Sequence, residues 1–381
     1  MSSNKFRAVV LFGGPSTEHD VSIITGIQVI ENLDSQKYEV IPIYWTQDNK
    51  FLTCSTWSKS KDILKNIKKD NLHVLWDVNN SQLILKSTSI LNKSKNIKVD
   101  VIIPALHGGW GEDGNIQGLL EVFGVPYTGC NSGASYLSMD KNMFKNVMLA
   151  KGIKVLPWQV IEKGSEDNIK VDFKFPVICK PNSLGSSIGV KKCKNIAQVK
   201  EALELIFELD QQAIIEPYVE DLTEINCSVL GDKTNQSTSV CERPIAKGDV
   251  LNFEDKYLSG GKTKSGQKTG GMASLDRVIP ADIPDKLAQT VQNVSLDAFK
   301  AIGAQGVIRV DCIYSKKSRD LVVNEVNSIP GSFSFYLWEA TGISFRELLD
   351  KLVAIAQKNH EDKKQIKRTF DSHVLDKFLA S

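Results

Sequence analysis

Near the end of the chain, two short segments carry residues able to do chemistry together. Gly306–Ile313 sets Arg309 and Asp311 among Ile308, Val310 and Cys312, and Leu321–Asn327 ends on Glu325 and Asn327. Both read as β-strands with a period of two, so Arg309 and Asp311 share one face and the apolar residues the other. The loop composition of Ser315–Asp320 between them predicts a hairpin. Two carboxylates, an amide oxygen and a guanidinium then meet on one surface. Hard cations such as Mg²⁺ take oxygen ligands, commonly one or two carboxylates together with substrate phosphates. Arginine offers a charge-assisted fork to a phosphoryl group or a developing oxyanion. The pattern is that of a nucleotide–magnesium site, although any half-exposed antiparallel sheet alternates polar and apolar residues in the same way.

Four other segments weigh on that choice. Lys180 stands at a strand end before a loop containing Gly185, Ser186, Ser187 and Gly189. Small residues there let backbone N–H groups and hydroxyls wrap phosphates while the lysine supplies charge. The order is the reverse of a Walker A loop, where the lysine comes last. Gly13–Val21 follows the first strand and offers a tight turn and the positive start of a helix. It is equally a strand–turn–helix with Ser16 or Thr17 as N-cap, but Glu18 in the first helical turn would suit an ammonium group. Leu106–Gly114 follows another strand end, and its glycines permit close backbone approach to a ligand. His107 there is either structural or placed to touch a substrate carboxylate. Phe253–Gly271 is too rich in glycine and lysine to pack, and reads as a disordered loop or a functional lid. A lid would keep a reactive intermediate from water.

The elements that must position these residues alternate along the first third. Ala8–Phe12, Val40–Tyr44 and Asp100–Leu106 are strand candidates, with a helical pattern from Val21 to Leu33 between the first two. That order predicts a parallel, Rossmann-like sheet with ligands at the strand carboxyl ends. Residues 46–99 are polar, rich in Lys and Asn, and read as a peripheral elaboration. Beyond Asn131, helices are expected over Asp140–Lys151, Asn195–Leu209, Ile283–Ile302 and Ser344–Gln357. Strands are expected over Phe175–Lys180, Ile188–Lys192 and Ala213–Val219. The last twenty or so residues form a basic tail, helical or frayed, and no internal repeat is present.

Composition bounds the function. A chain of 381 residues predicts two or three domains. A net charge of +2 gives no case for nucleic-acid or membrane binding. The seven cysteines are scattered without a CxxC pair and read as small core residues in a reducing compartment. No signal peptide or apolar run of spanning length is legible, so the cytoplasm is the expected location.

Read in order, the segments resemble the D-alanine–D-alanine ligases of the ATP-grasp superfamily. The resemblance rests on Gly13–Ser22, His107–Gly118, Met139-Asp140-Lys141, Lys180–Gly189, Lys256-Tyr257-Leu258, Arg309–Asp311 and Asn324–Gly331, and spans residues 6–357. It implies an α/β ATP-grasp protein whose Rossmann-like substrate domain (1–129) precedes two α+β domains, 130–217 and 218–360, that sandwich ATP, with 361–381 as a basic tail. It also implies an ATP-dependent ligase that joins two D-alanines through a D-alanyl phosphate for peptidoglycan synthesis, with a homodimer as the expected assembly.

The resemblance carries roles with it. Lys141 and Lys180 would contact ATP phosphates under a loop of Gly185, Ser186 and Ser187, and Glu216 and Glu224 would bind the adenine side and the ribose. Asp311, Glu325 and Asn327 would hold two Mg²⁺ ions, with Mn²⁺ as the alternative. Glu18 would bind the ammonium of the first D-alanine and form a triad with Ser186 and Tyr257, with Val21 and His107 beside the substrate. Arg309 and the Gly331 N–H would stabilise the tetrahedral oxyanion, and Lys256 would approach the acceptor carboxylate.

One segment departs from the family pattern. After Gly331, where the family has a Thr/Ser-rich stretch, this chain reads Ser332-Phe-Ser-Phe-Tyr-Leu-Trp338, and Tyr336 falls where a serine holds the acceptor carboxylate. Tyr336 could donate that hydrogen bond, Ser332 or Ser334 could replace it, or Phe333, Phe335 and Trp338 could remodel the pocket. An acceptor other than D-alanine, a D-amino or hydroxy acid, and a non-catalytic nucleotide-binding protein are the rival readings. Tyr257 weighs against a hydroxy acid. A nicotinamide oxidoreductase fails on the missing GxGxxG fingerprint.

Overall fold

Ala8–Phe12 have no solvent exposure at all, as expected of a parallel strand covered on both faces. They form the centre of β1 (Phe6–Gly13) in the computed structural model, which describes residues 5–54, 62–70, 72–77, 82–86, 95–166, 169–245, 277–367, 369 and 372–380. β2 (Tyr38–Trp45) pairs with β1 in parallel after the helix His19–Asn32. The sheet continues through β3 (Phe51–Thr53), β4 (Leu72–Asp77), β5 (Gln82–Lys86), β6 (Lys95–Lys98) and β7 (Val101–Pro104), in the order β6-β5-β4-β3-β2-β1-β7. β7 lies parallel to β1 on the side away from β2. The strand order therefore reverses at β1, and a crevice opens beyond the carboxyl ends of β1 and β7. The loops from Gly13 and Leu106 emerge there.

Residues 46–99 are more than an elaboration. β3 to β6 add antiparallel strands that extend the same sheet. In β4, Val74 is buried while Leu75 is exposed, because an outlying strand needs to bury only one side, and an exposed apolar residue blurs the alternation.

The second sheet comprises β8 (Gln159–Glu162), β9 (Val177–Pro181), β10 (Lys191–Cys193) and β11 (Gln212–Pro217), ordered β10-β9-β11-β8 and antiparallel throughout. Val177 and Cys179 bury against Val199 and Leu203 of the helix Ile196–Ile206. Alternation then turns Ile178 and Lys180 to the opposite face.

The third sheet comprises β12 (Leu222–Gly231), β13 (Gln236–Pro244), β14 (Arg277–Val278), β15 (Gly306–Ser315) and β16 (Leu321–Asn327), ordered β14-β13-β12-β15-β16. The hairpin read from the sequence is β15–β16, and Ile308, Val310 and Cys312 bury with Val291, Ala298 and Phe299 of the helix Asp285–Ala301. β12 and β13, rich in Ser, Thr and Asn, were not legible as strands, yet they supply the sheet centre.

The helix Phe345–Lys364 packs Leu348, Leu352 and Val353 into the core of the first sheet, and Asp350 accepts from the Tyr38 hydroxyl at 2.8 Å. Both ends of the chain thus build one core. All seven cysteines are unpaired and buried. Among the described residues, no helix is long and apolar enough to cross a membrane.

Candidate active site

Glu18 sits where the Gly13 loop meets the Leu106 loop. Ser16 Oγ donates to the His107 carbonyl at 2.6 Å and ties the two loops together. Ser186, from the small-residue loop after β9, donates its hydroxyl to Glu18 Oε1. Gly108 has φ +65°, and any side chain there would come within 2.7 Å of Glu18 Oε2, so only glycine lets the loop lie against this carboxylate.

Glu112 brings a second carboxyl to the same place. It accepts from the N–H of Gly108 at 3.0 Å and of Ile329 at 3.2 Å. Burial, and then the nearby Glu18 charge, push its pKa up to about 8, so it is mainly protonated at neutral pH. His107 is buried, with Nε2 2.8 Å from Thr25 Oγ1, and burial lowers its pKa to about 4. It borders the cleft beside Glu18 as a neutral ring and so brings no charge to a carboxylate.

The phosphate-type residues converge next door. Asp140 caps the helix Lys141–Ala150 by accepting from Met143 N at 2.8 Å. Lys141 Nζ donates to the carbonyls of Leu184 at 2.5 Å and Asn182 at 3.4 Å. One turn on, Lys145 reaches Glu216 at 2.5 Å, and Lys180 reaches the other oxygen of Glu216 at 2.7 Å. Burial alone would raise the Glu216 pKa, but Lys180 and Lys145 outweigh it and hold the carboxylate below its usual range. Burial draws Lys141 and Lys145 below the usual lysine range. Lys145 and Lys180 share Glu216, and Lys141 lies near Glu325 as well as Glu216, so three ammonium groups come together where a polyanion could bind. Ser186 and Ser187 take left-handed φ of 54° and 59°, a strained turn that sets this loop.

On the third sheet, the register pairs Asp311 with Glu325 and Arg309 with Asn327, beside a bulge after Asp311. Arg309 grips Asp311 twice, at 2.6 and 2.7 Å, and Asn327 Nδ2 adds a third contact at 3.1 Å. The donor set of two carboxylates and an amide oxygen fits a hard cation. Asp311 must loosen its hold on Arg309 to serve one.

Glu18, His107, Ser186, Arg309 and Gly331 border one cleft. Lys180, Ser187, Glu216, Glu224 and Asp311 border a second, between the second and third sheets. Lys141, Gly185 and Glu325 border both, so the two clefts adjoin.

Some expected residues fall elsewhere. Val21 is buried in its helix and does not border either cleft. Lys256 and Tyr257 lie outside the described residues. After Gly331, Ser332, Phe333 and Ser334 take φ of 52°, 53° and 51°, a run of left-handed residues that redirects the chain. Phe333 and Trp338 then enter the core of the first sheet, and Phe335 stacks on Phe345 at 4.7 Å. These aromatics are packing, not a remodelled pocket. Ser332 N lies 3.3 Å from Thr25 Oγ1. Tyr336 does not border the clefts; its hydroxyl is 3.3 Å from Glu242 Oε1, and the Arg277 guanidinium lies over its ring.

Sequence reasoning missed Thr25, Glu112, Lys145, Asn226, Glu242 and Arg277. Lys145 was signalled by its i+4 spacing from Lys141, and Glu112 by its place in the glycine-rich loop after His107. Nothing local marked Arg277.

Comparison with known proteins identifies the family and the fold. A family model described as the D-ala D-ala ligase N-terminus matches residues 7–130, and one for the D-ala D-ala ligase C-terminus matches 147–354. The D-alanine–D-alanine ligase of Thermosipho africanus is 36% identical over 374 residues, covering 96% of this chain and 97% of that protein. The solved D-alanine–D-alanine ligase of Coxiella burnetii superposes with a TM-score of 0.78 at 25% identity, covering 95% of this chain and 97% of that one. The VanG D-Ala:D-Ser ligase of Enterococcus faecalis also gives 0.78, at 28% identity over 93% of this chain and all of that one. The cleft between two antiparallel sheets is the ATP-grasp arrangement, and the chain belongs to the D-alanine–D-alanine ligase family.

Proposed function

We propose that this chain condenses two D-alanines into a dipeptide, converting ATP to ADP and phosphate, as a step in building peptidoglycan. The observation that carries this is the meeting of the two clefts at Lys141, Gly185 and Glu325. A polyphosphate held by lysines on one side can thereby reach an amino acid held by Glu18 on the other.

In this reading ATP occupies the cleft between the second and third sheets. Lys141 and Lys180 bind its phosphates, the Gly185–Ser187 loop covers them, and Glu216 and Glu224 face the nucleoside. Glu216 acts partly by holding Lys145 and Lys180 in place. Glu18, steadied by Ser186, holds the ammonium of the first D-alanine. The carboxylate oxygen of that D-alanine attacks the γ-phosphorus, the bond from the γ-phosphorus to the β–γ bridging oxygen breaks, and ADP leaves. The second D-alanine, as a neutral amine, attacks the acyl carbon; the acyl C–O bond to phosphate breaks, and the proton shed by the nitrogen leaves with the phosphate. Arg309 and the Gly331 N–H meet the oxyanion, where a preorganised donor is commonly worth ~10²–10³ in rate. Asp311, Glu325 and Asn327 are the residues that would hold two Mg²⁺ ions, or Mn²⁺; the metal supplies charge neutralisation on the transferring phosphoryl group.

Residues 1–129, 130–217 and 218–360 serve as the three domains in this reading, with a tail after 360. The enzyme works in the cytoplasm, where ATP is available, as a homodimer without nucleic-acid or membrane partners. The modest net charge of +2 is consistent with that.

Incubation with ATP, Mg²⁺ and D-alanine, with phosphate release followed and products weighed by mass spectrometry, tests the proposal. D-Alanyl-D-alanine in step with phosphate is the expected result; no D-alanine-dependent phosphate would refute it. A second reading, a different acceptor, draws on Tyr336 standing where the family has serine. It predicts phosphate release with a mixed dipeptide when other D-amino acids are supplied.

A further inference from the structure

Gly331, whose N–H meets the oxyanion in the proposed reaction, lies between two residues whose backbones are gripped by the first sheet's connections. On one side, Ile329 N donates to Glu112 Oε1 at 3.2 Å. On the other, Ser332 N donates to Thr25 Oγ1 at 3.3 Å. Thr25 belongs to the helix His19–Asn32 and is fully buried, as is Ser332. Ser332 also opens the left-handed run, with φ of 52°, so the turn that presents Gly331 N–H is strained and depends on its surroundings to hold it.

The Thr25 hydroxyl does more than accept. Its own hydrogen needs an acceptor in this buried setting, and among the described residues His107 Nε2, at 2.8 Å, is the partner that can take it. Nε2 is then the bare nitrogen, and the ring proton sits on Nδ1. The ring also bonds to the Ile329 backbone in the sense that favours protonation, as donation to a carbonyl does. One hydroxyl thus connects the two residues that flank Pro330-Gly331. Ser332 N–H donates to Thr25, Thr25 to His107, and His107 to Ile329.

Thr25 itself borders neither cleft. Valine has nearly the same shape, so filling this space calls for no hydroxyl. We propose that Thr25 is a positioning residue for amide-bond formation: by accepting from Ser332 and fixing the His107 tautomer, it aims the Gly331 N–H at the tetrahedral oxyanion. The inference rests on the ligase reading above and concerns its second step alone, because phosphoryl transfer to the first D-alanine passes through no tetrahedral carbon.

The test separates the two steps. ATP labelled with heavy oxygen at its β–γ bridge moves that label to non-bridging β positions whenever acyl phosphate forms and returns to ATP. Mass spectrometry follows this exchange and the dipeptide together, with Mg²⁺ and D-alanine present. The ratio of exchange to dipeptide is independent of how much enzyme is folded, so a merely structural defect leaves it unmoved. Thr25→Val, which loses the hydroxyl, is expected to raise the ratio ~10–10²-fold, the scale on which a misplaced catalytic group costs rate. Thr25→Ser, which keeps the hydroxyl, should stay within about threefold of wild type. Thr25→Ala carries the same expectation as Thr25→Val should that variant fail to fold. An unchanged ratio without the hydroxyl overturns the inference alone, and so does a Ser variant as altered as the others, which would make packing the cause. A wild type that forms no dipeptide overturns the ligase reading itself, and the inference with it.

Discussion

Arg309 holds Asp311 through two parallel contacts, Nε to Oδ1 at 2.6 Å and Nη2 to Oδ2 at 2.7 Å, between residues two apart on one strand face. In the proposed reaction the carboxylate is wanted by metal and the guanidinium by the oxyanion, so each partner's engagement releases the other. Arg309→Ala should lower turnover by ~10²–10³. Chelation of divalent metal should end phosphate release altogether. Retention of more than about a tenth of the rate in Arg309→Ala would remove this residue from the oxyanion role.

Lys145 and Lys180 share Glu216, which is almost fully buried. Lys145→Met leaves the carboxylate one partner short, and loss of a partner from a buried pair costs ~3–5 kcal/mol. With Lys180 still in place, the loss should lie near the lower end. Urea unfolding monitored by tryptophan fluorescence reads it. A variant as stable as wild type would mean that Lys180 alone satisfies Glu216.

Ser186 donates to Glu18 across the two loops. Hydrogen bonds to charged groups contribute ~1.5–3 kcal/mol, so Ser186→Ala should raise the KM for the donor D-alanine by roughly tenfold or more. Initial-rate kinetics at saturating ATP measure it. A change confined to the KM of ATP would place Ser186 over the phosphates alone.

Burial, and then the nearby Glu18 charge, push the Glu112 carboxyl up to about 8 in the folded protein. The folded state then binds more protons than the unfolded state from ~4.3 upward, and stability falls as pH rises through this window until it levels above the folded pKa. Glu112→Gln has no such proton to lose. The difference in Tm between variant and wild type should therefore grow in favour of the variant from pH 6 to pH 8. A difference that does not change with pH would show that Glu112 is ionised throughout.

Ser344 accepts from Glu347 N at 3.3 Å, and the Glu347 carboxylate returns to Ser344 N at 2.9 Å. This capping box starts the helix that completes the first sheet's core. Ser344→Ala should cost ~1 kcal/mol of stability without altering phosphate release. Loss of activity at full stability would contradict a purely structural cap.

Legibility followed locality. Arg309 and Asp311 could be placed on one face because period-two alternation is a property of the strand itself, and Ile308, Val310 and Cys312 fell on the other face as that period requires. The Lys180 loop and the glycines beside Glu18 were readable for the same reason, since conformational freedom and charge are written residue by residue. β12 and β13 were hidden, because a strand with Ser, Thr and Asn on its working face alternates weakly. Phe333 and Trp338 looked like candidates for a pocket wall, and only the left-handed run at Ser332–Ser334 shows that the chain turns them into the core.

The amino-acid sequence by itself determined the family pattern, the β15–β16 hairpin and the candidate residues for phosphate, ammonium and oxyanion, because each depends on short spacing or on motifs in succession. Tertiary structure alone decided that Glu216 clasps Lys145 and Lys180, that burial and then the nearby Glu18 charge push the Glu112 carboxyl up, and that Tyr336 lies under Arg277. The physical reason is common to all three. A charge is worth little in water and much when buried, and which charges are buried together depends on how distant strands stack.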